Sequence, residues 1–402
     1  MDLSYTPQQD AFREEVRKFL ADHADQVPPH FGVNRPTPEA RAWQGLLISR
    51  GYVARTIPVE YGGSGQEPDI MKAQILAEEF AAARAPLGLV NQGISMFVPT
   101  LLEHGTEEQK RAWIAPTLHG EMVWCQGYSE PEAGSDLASL KTSAREDGDD
   151  FIINGQKIWT TTAHGADMMF ALVRTEPHAP NRYLGISYLI IPMDSPGIEV
   201  RPLRTMTGEA EFNEVFFTDV RIPQTNIVGA RGDGWRIANS TLKHERGMLG
   251  DPNAALARIR NLLNLMEAES VDGVRLIDMP VWCDRVMTLQ GRAMAMKFHA
   301  MRLLTAAVKG EEPSLARMIV KLKATELNHQ IATLAVDVLG EVGGLMGDGP
   351  LSRDRGVWQK RFMFDLGMII GGGTAQIQKN IIGERGLGLP REPRLQAAGH
   401  NR

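Results

Sequence analysis

The chain has 402 residues, 43% hydrophobic and 23% charged, a globular composition too long for one core, so two or three domains are expected. Lys and Arg number 43 against 49 Asp and Glu, a formal net charge of −6, with no basic block able to track a phosphate backbone, which excludes nucleic acid as a natural partner. No apolar run is long enough to cross a bilayer as a helix, and Cys125 and Cys283 are the only cysteines, which fits a reducing compartment rather than a disulfide framework.

Thr6 and Pro7 read as the cap and first residue of an amphipathic helix in which Phe12, Val16, Phe19 and Leu20 repeat at helical spacing. No basic leader with a cleavage site precedes it, so the expected location is cytoplasmic. The Pro-rich stretch 28–38 predicts a loop. Periodicity predicts helices over 38–50, 68–84 and 106–119, the last capped by Thr106 with Glu107, Glu108 and Gln109 in its first turn. Between them Pro58 to Gly65 (PVEYGGSG) is expected to be a structural loop. Residues 1–120 are therefore expected to form an N-terminal α-helical domain.

From Glu121 the chain changes to short runs rich in Val, Ile, Phe and Thr, separated by Gly, Asp and Pro. Strands are predicted over 121–128, 140–146, 151–154, 156–162, 167–174, 184–192, 198–204 and 213–219, spaced as in a small β-barrel or sandwich over 121–231. Two stretches of this domain hold an unusual set of donors. In the first, Ser129, Glu130 and Pro131 end an apolar run, and Ala133, Gly134, Ser135 and Asp136 follow as a tight turn. Gly134 would allow the backbone to approach a ligand, and Ser135 adds a hydroxyl. In the second, Asn154-Gly155 is a hairpin signal, and the strand expected after it carries Trp159 beside Thr160, Thr161 and Thr162. A broad aromatic face next to hydroxyl donors suits a planar heterocycle. Either stretch alone is more often a surface turn or a core strand.

After Gly232-Asp233-Gly234-Trp235 long helices return. Residues 281–309 contain no proline, and Met287, Met294 and Met301 fall seven apart, which predicts core packing along a bundle seam. A further helix is expected over about 314–339, with Leu315, Ile319 and Leu322 on one face, and a last one from about 374, after Gly371-Gly372-Gly373.

Taken together, the two stretches of the β domain resemble the sequence patterns of the acyl-CoA dehydrogenase family, and the resemblance extends over nearly the whole chain. It implies an α+β multidomain protein: a helical N-terminal domain, a middle β-barrel or sandwich, and a C-terminal four-helix bundle over 232–402. It also implies bound FAD, an acyl-CoA substrate, electron-transfer flavoprotein as electron acceptor, and a tetramer. By position, Gln126, Tyr128 and Ser129 match residues lining the flavin, and Gly134 and Ser135 match those at the pyrophosphate and the acyl-CoA. Trp159 and Thr161 match the pair that packs on the ring and hydrogen-bonds its redox edge, while Thr374 and Gln376 match positions reaching the flavin's phosphate and adenosine region. The HERG segment and the tail IIGERGLGLPREPR resemble the large subunits of bacterial pimeloyl-CoA dehydrogenases and similar enzymes, some of which work as hetero-oligomers.

The reaction so implied, α,β-dehydrogenation, needs a carboxylate to remove the α-proton. Many relatives carry it just before a Gly-Thr pair in the last glycine loop. Here that position is Gly372, which can offer a backbone amide to the thioester carbonyl but cannot take a proton. A smaller set of relatives places the glutamate before an arginine on an earlier helix, where this chain reads Lys243-His244-Glu245-Arg246-Gly247. Glu245 is therefore the expected base, with Arg246 as its electrostatic neighbour at the substrate. The Arg-x-x-Phe-Gly stretch that many relatives use for cofactor contacts across subunits is not recognisable between 275 and 292. Two other readings stay open: a subunit that holds FAD without turnover, which Gly372 favours, and a flavin monooxygenase on the same fold.

Overall fold

Thr6 caps α1 (Pro7–Asp22) through a reciprocal box with Gln9, and Val16, Phe19 and Leu20 pack on Trp43 and Leu47 of α2 (Pro38–Ser49) and on Leu76 and Phe80 of α3 (Ile70–Ala82). The structure is a computed structural model that describes residues 5–32, 34–248, 252–311 and 314–391; the side chains at 245–248, 252 and 314 lie outside that description. One π-helical turn, Gly93–Phe97, runs into α4 (Val98–His104), and Thr106 with Gln109 caps α5 (Glu107–Leu118). The segment 58–65 is the structural loop expected: Gly62 adopts φ 83°, and a Cβ there would lie 2.8 Å from the Ala115 side chain on α5.

Eight strands follow: β1 (Trp124–Gly127), β2 (Ser143–Asp147), β3 (Asp150–Lys157), β4 (Met168–Arg174), β5 (Ile186–Pro192), β6 (Ile198–Leu203), β7 (Phe212–Pro223) and β8 (Ile227–Val228). Their order is β6-β7-β3-β2-β4-β5-β8, with β1 parallel to β4. The β6-β7-β3-β2 half meets the β4-β5-β8 half through the single parallel pair Ser143 and Arg174. Alternate side chains of both halves, among them Phe151, Ile153, Val215 and Phe217 from one and Met169, Val173, Leu189 and Ile191 from the other, share one core.

Two expectations are corrected here. Asn154-Gly155 is not a hairpin turn but a register shift inside one continuous β3, where Asn154 pairs with Asp219 by Oδ1 accepting from its N–H at 3.0 Å and Nδ2 donating to its carboxylate at 2.9 Å. The turn lies instead at Gly148-Asp149, where Gly148 takes φ 65°. Trp159 does not sit on a strand, because β3 ends at Lys157 and Trp159 turns to φ 60°, out of the extended region.

The chain divides into two compact units, residues 1–245 and 246–402. The helix α6 (Gly234–Met248) lies in the first of them through residue 245, its Ile237 and Ala238 belonging to the core that also holds Met96, Leu101, Tyr128 and Tyr188. In the second unit α7 (Pro252–Ala268), a short hairpin β9 (Ser270–Val271) with β10 (Val274–Arg275), α8 (Pro280–Val308), α9 (Ser314–Val338) and α10 (Val357–Ile370) precede α11 (Ala375–Ile381). The four long helices share a core of Leu262 and Met266, Val286, Leu289 and Ala293, Leu327, Ile331 and Leu334, and Trp358. The methionine seam expected on α8 is not the one observed: Met287 is exposed, and Val286, Leu289 and Ala293, on the adjoining stripe, face the core. Among the described residues no helix is long and apolar enough to cross a membrane.

Candidate active site

The two motifs of the β domain are stapled together by a buried ion pair. Lys157, at the end of β3, is fully buried, and its ammonium donates to Glu130 Oε1 at 2.8 Å and to the Tyr128 carbonyl at 3.2 Å. Glu130 also accepts from the backbone N–H of Lys141 at 2.6 Å and of Thr142 at 2.9 Å. Burial pushes this carboxyl up, but the Lys157 charge and these donors prevail and hold it below the usual carboxylate range. The turn after it closes by paired backbone bonds between Glu130 and Ala133, at 3.1 and 3.0 Å. Behind it the Ile158 N–H donates to the Ser129 carbonyl at 3.0 Å, which brings Ser129 beside the segment that carries Trp159.

Around this staple the candidate residues fall into two groups. Gln126, on β1, and Ser129 are half-buried, and Tyr128 is buried. Gly134 and Ser135 are exposed, and a Cβ at Gly134 would meet nothing within 4 Å, so the turn presents open backbone. Trp159 is 57% exposed, steadied at its edge by Phe212 with ring centroids 5.8 Å apart. Thr160 exchanges backbone bonds with Asn213, both at 3.0 Å, and its hydroxyl is buried with no partner among the described residues. Thr161, half-buried, precedes Thr162 at φ 58°. An open glycine turn, an exposed indole and the Thr161 hydroxyl, on segments joined by one ion pair, form a donor set that fits a phosphate-bearing planar ring system.

The end of α6 is held to α4 by polar contacts. Thr241 Oγ1 lies 2.9 Å from Thr100 Oγ1, Ser240 Oγ 2.9 Å from His104 Nε2, and His244 Nε2 3.1 Å from Glu103 Oε1. The next residue is Glu245. Its backbone is helical, and its side chain and that of Arg246 lie outside the described residues.

In the second unit Gly371 ends α10, Gly372 and Gly373 take φ 63° and 93°, and Thr374 caps α11 by accepting from the Ile377 N–H at 3.1 Å. The Thr374 hydroxyl donates to no partner among the described residues, and Gln376 is exposed.

Sequence reasoning passed over Glu130, Lys157, Lys321 and Gln378. For Lys157 a signal existed, since it stands at an inward-facing position of a strand whose other inward residues are Phe151 and Ile153, and a lysine there requires an acidic partner.

Family models for the N-terminal, middle and C-terminal domains of acyl-CoA dehydrogenase match residues 6–121, 125–220 and 232–387. The chain therefore belongs to the acyl-CoA dehydrogenase family, oxidoreductases that act on acyl-CoA. It is 38% identical to the acyl-CoA dehydrogenase IpdE1 of Mycobacterium tuberculosis, over 95% of this chain and 98% of that protein. Among solved structures, the ChsE4-ChsE5 complex of Mycobacterium tuberculosis matches with TM-score 0.79 and 32% identity, over 98% of this chain and 100% of the matched one. The Tcur3481-Tcur3483 steroid acyl-CoA dehydrogenase matches with TM-score 0.80 and 27% identity, over 98% and 100%. Members of the family are generally FAD-dependent.

Proposed function

We propose that the protein desaturates an acyl-CoA thioester to the trans-2-enoyl-CoA, with Glu245 removing the α-proton. The observation that carries this reading is the pairing of a glycine at 372, where no proton acceptor exists, with a glutamate at 245 directly after the tethered turn of α6. Bound FAD would supply the hydride acceptor for the β-hydrogen. Trp159 covers a ring face and keeps water from it, and Thr161, Ser129 and the backbone around Gln126 and Tyr128 orient its edge. Gly134 and Ser135 receive phosphate or pantetheine oxygens through backbone and hydroxyl donors, and Thr374 and Gln376 serve the phosphate and adenosine end. The Gly372 amide polarises the thioester carbonyl, which acidifies the α-carbon, while Arg246 keeps the Glu245 carboxylate charged until it takes the proton.

Electron-transfer flavoprotein is the proposed acceptor that restores the oxidised cofactor. A related subunit is the proposed partner in a hetero-oligomer, in line with the two-protein ChsE4-ChsE5 and Tcur3481-Tcur3483 assemblies, with a homotetramer as the alternative. The Tcur3481-Tcur3483 steroid enzyme also makes a bulky steroid-bearing acyl group the first to try in a substrate panel. Glu245→Gln tests the assignment. The variant is expected to retain FAD and to lose flavin bleaching by a factor of about 1,000 or more, the range of an essential base. Bleaching at the parent rate would transfer the role to another residue.

A further inference from the structure

Lys321 is 2% exposed, in the first half of α9, and its ammonium donates to the carbonyl of Gly373 at 2.7 Å and to that of Ile369 at 3.3 Å. Gln378, 3% exposed on α11, donates through Nε2 to the carbonyl of Gly372 at 3.3 Å. Two side chains from two helices thus grip successive carbonyls of one short loop. The loop is shaped to allow it: Gly373 takes φ 93°, and a Cβ there would lie 2.7 Å from Gln378 Nε2. A longer side chain at 373 would displace Gln378.

The peptides of this loop are trans, which sets each C=O opposite the N–H of the same plane. Turning the carbonyls of Gly372 and Gly373 inward, toward α9 and α11, therefore turns the N–H groups of Gly373 and Thr374 outward. Neither has an acceptor among the described residues. A buried ammonium does more here than a neutral donor would, because a charged hydrogen bond to a peptide oxygen polarises that peptide and makes its N–H a stronger donor.

We propose that Lys321, seconded by Gln378, is a positioning residue that fixes the peptide planes of loop 371–374 so that the N–H groups of Gly373 and Thr374 join the Gly372 amide in facing the thioester oxygen of the acyl-CoA. This rests on the dehydrogenase reading for the identity of the ligand. The grip on the loop itself does not.

The test uses FAD-loaded protein and a trans-2-enoyl-CoA carrying carbon-13 at the thioester carbonyl, whose infrared stretch reports hydrogen bonding without turnover. In the parent protein the stretch is expected to move to lower frequency on binding. Lys321→Met, with unchanged helix content and FAD content, is expected to lose at least half of that shift. Its limiting rate of bleaching by acyl-CoA falls ten- to a hundredfold, while the half-saturating concentration changes less than fivefold. Gln378→Leu gives a smaller loss of the same kind and decides the matter if Lys321→Met does not fold. A full carbonyl shift retained in a folded Lys321→Met, or no shift in the parent protein, overturns the proposal. The two claims separate: a parent protein that shows the shift but is bleached by no acyl-CoA loses the dehydrogenase reading alone, and one that bleaches while Lys321→Met keeps both shift and rate loses the positioning role alone.

Discussion

His244 Nε2 lies 3.1 Å from Glu103 Oε1, so the residue immediately before the proposed base is tied to a different helix. Burial raises the Glu103 carboxyl, but hydrogen bonds from Ser240 and His244 outweigh it and leave the group below its ordinary range, ionised at neutral pH. Glu103→Ala removes the tether without touching the base. It is expected to slow acyl-CoA bleaching about tenfold with FAD content unchanged, since small misplacements of a reacting group are costly. An unchanged rate would mean that Thr100 and Thr241 hold α6 sufficiently by themselves.

The buried pair of Lys157 and Glu130 makes a sharper claim about stability. Lys157→Met leaves a carboxylate buried without its counter-charge and is expected to cost about 3–5 kcal/mol in denaturant unfolding. Glu130→Gln added to it removes the stranded charge while keeping an acceptor for the Lys141 and Thr142 amides, so the double variant is expected to be more stable than Lys157→Met alone. If the double variant is the less stable of the two, the stranded charge is not the cause of the loss.

Acid should find the same pair. A carboxyl held below its unfolded value stabilises the fold at pH values above that unfolded value, about 4.3 for glutamate, and the contribution disappears as pH falls through the lower folded value. Glu130 is such a group. Urea midpoints of the parent protein are therefore expected to drop as pH is lowered below about 4.3, and those of Glu130→Gln to drop less steeply. Parallel curves would show that Glu130 is not linked to acid unfolding.

Replacing Trp159 is expected to have the opposite effect, little on stability and much on cofactor binding. At 57% exposure, with one edge contact, its replacement by Ala is expected to change unfolding free energy by less than about 1 kcal/mol. FAD affinity is expected to fall about tenfold, roughly 1.4 kcal/mol, read by flavin fluorescence on dilution. Equal affinity would remove Trp159 from the cofactor face.

The parts legible in the sequence were those written in local pattern. The caps at Thr6 and Thr106, the helical spacing of Val16, Phe19 and Leu20, and the change to β composition at Glu121 all stand where expected. Trp and Thr favour extended backbone, so sequence places Trp159 on a strand, and nothing nearby announces its positive φ. Asn154-Gly155 looks like a turn in isolation, but pairing with Asp219 across β7 turned it into a bulge, a contact 65 residues away. The grip of Lys321 on Gly373 spans 52 residues, and no spacing rule reaches that far. Gly372 was conspicuous because a carboxylate was expected there. The two side chains that orient the loop were not, since Lys and Gln on helices ordinarily face water.

The central claim is that this chain takes a proton from the α-carbon of an acyl-CoA while the substrate's β-hydrogen is passed as hydride to a flavin. The most direct measurement is the anaerobic absorbance spectrum of FAD-loaded protein, with its proposed partner subunit if one is needed for loading, during titration with a panel of saturated acyl-CoAs that includes a steroid-bearing one. Loss of the flavin band near one equivalent, with formation of the matching trans-2-enoyl-CoA, is the expected result. A flavin that stays fully oxidised with every member of the panel would contradict the account and leave a subunit that holds the cofactor without using it.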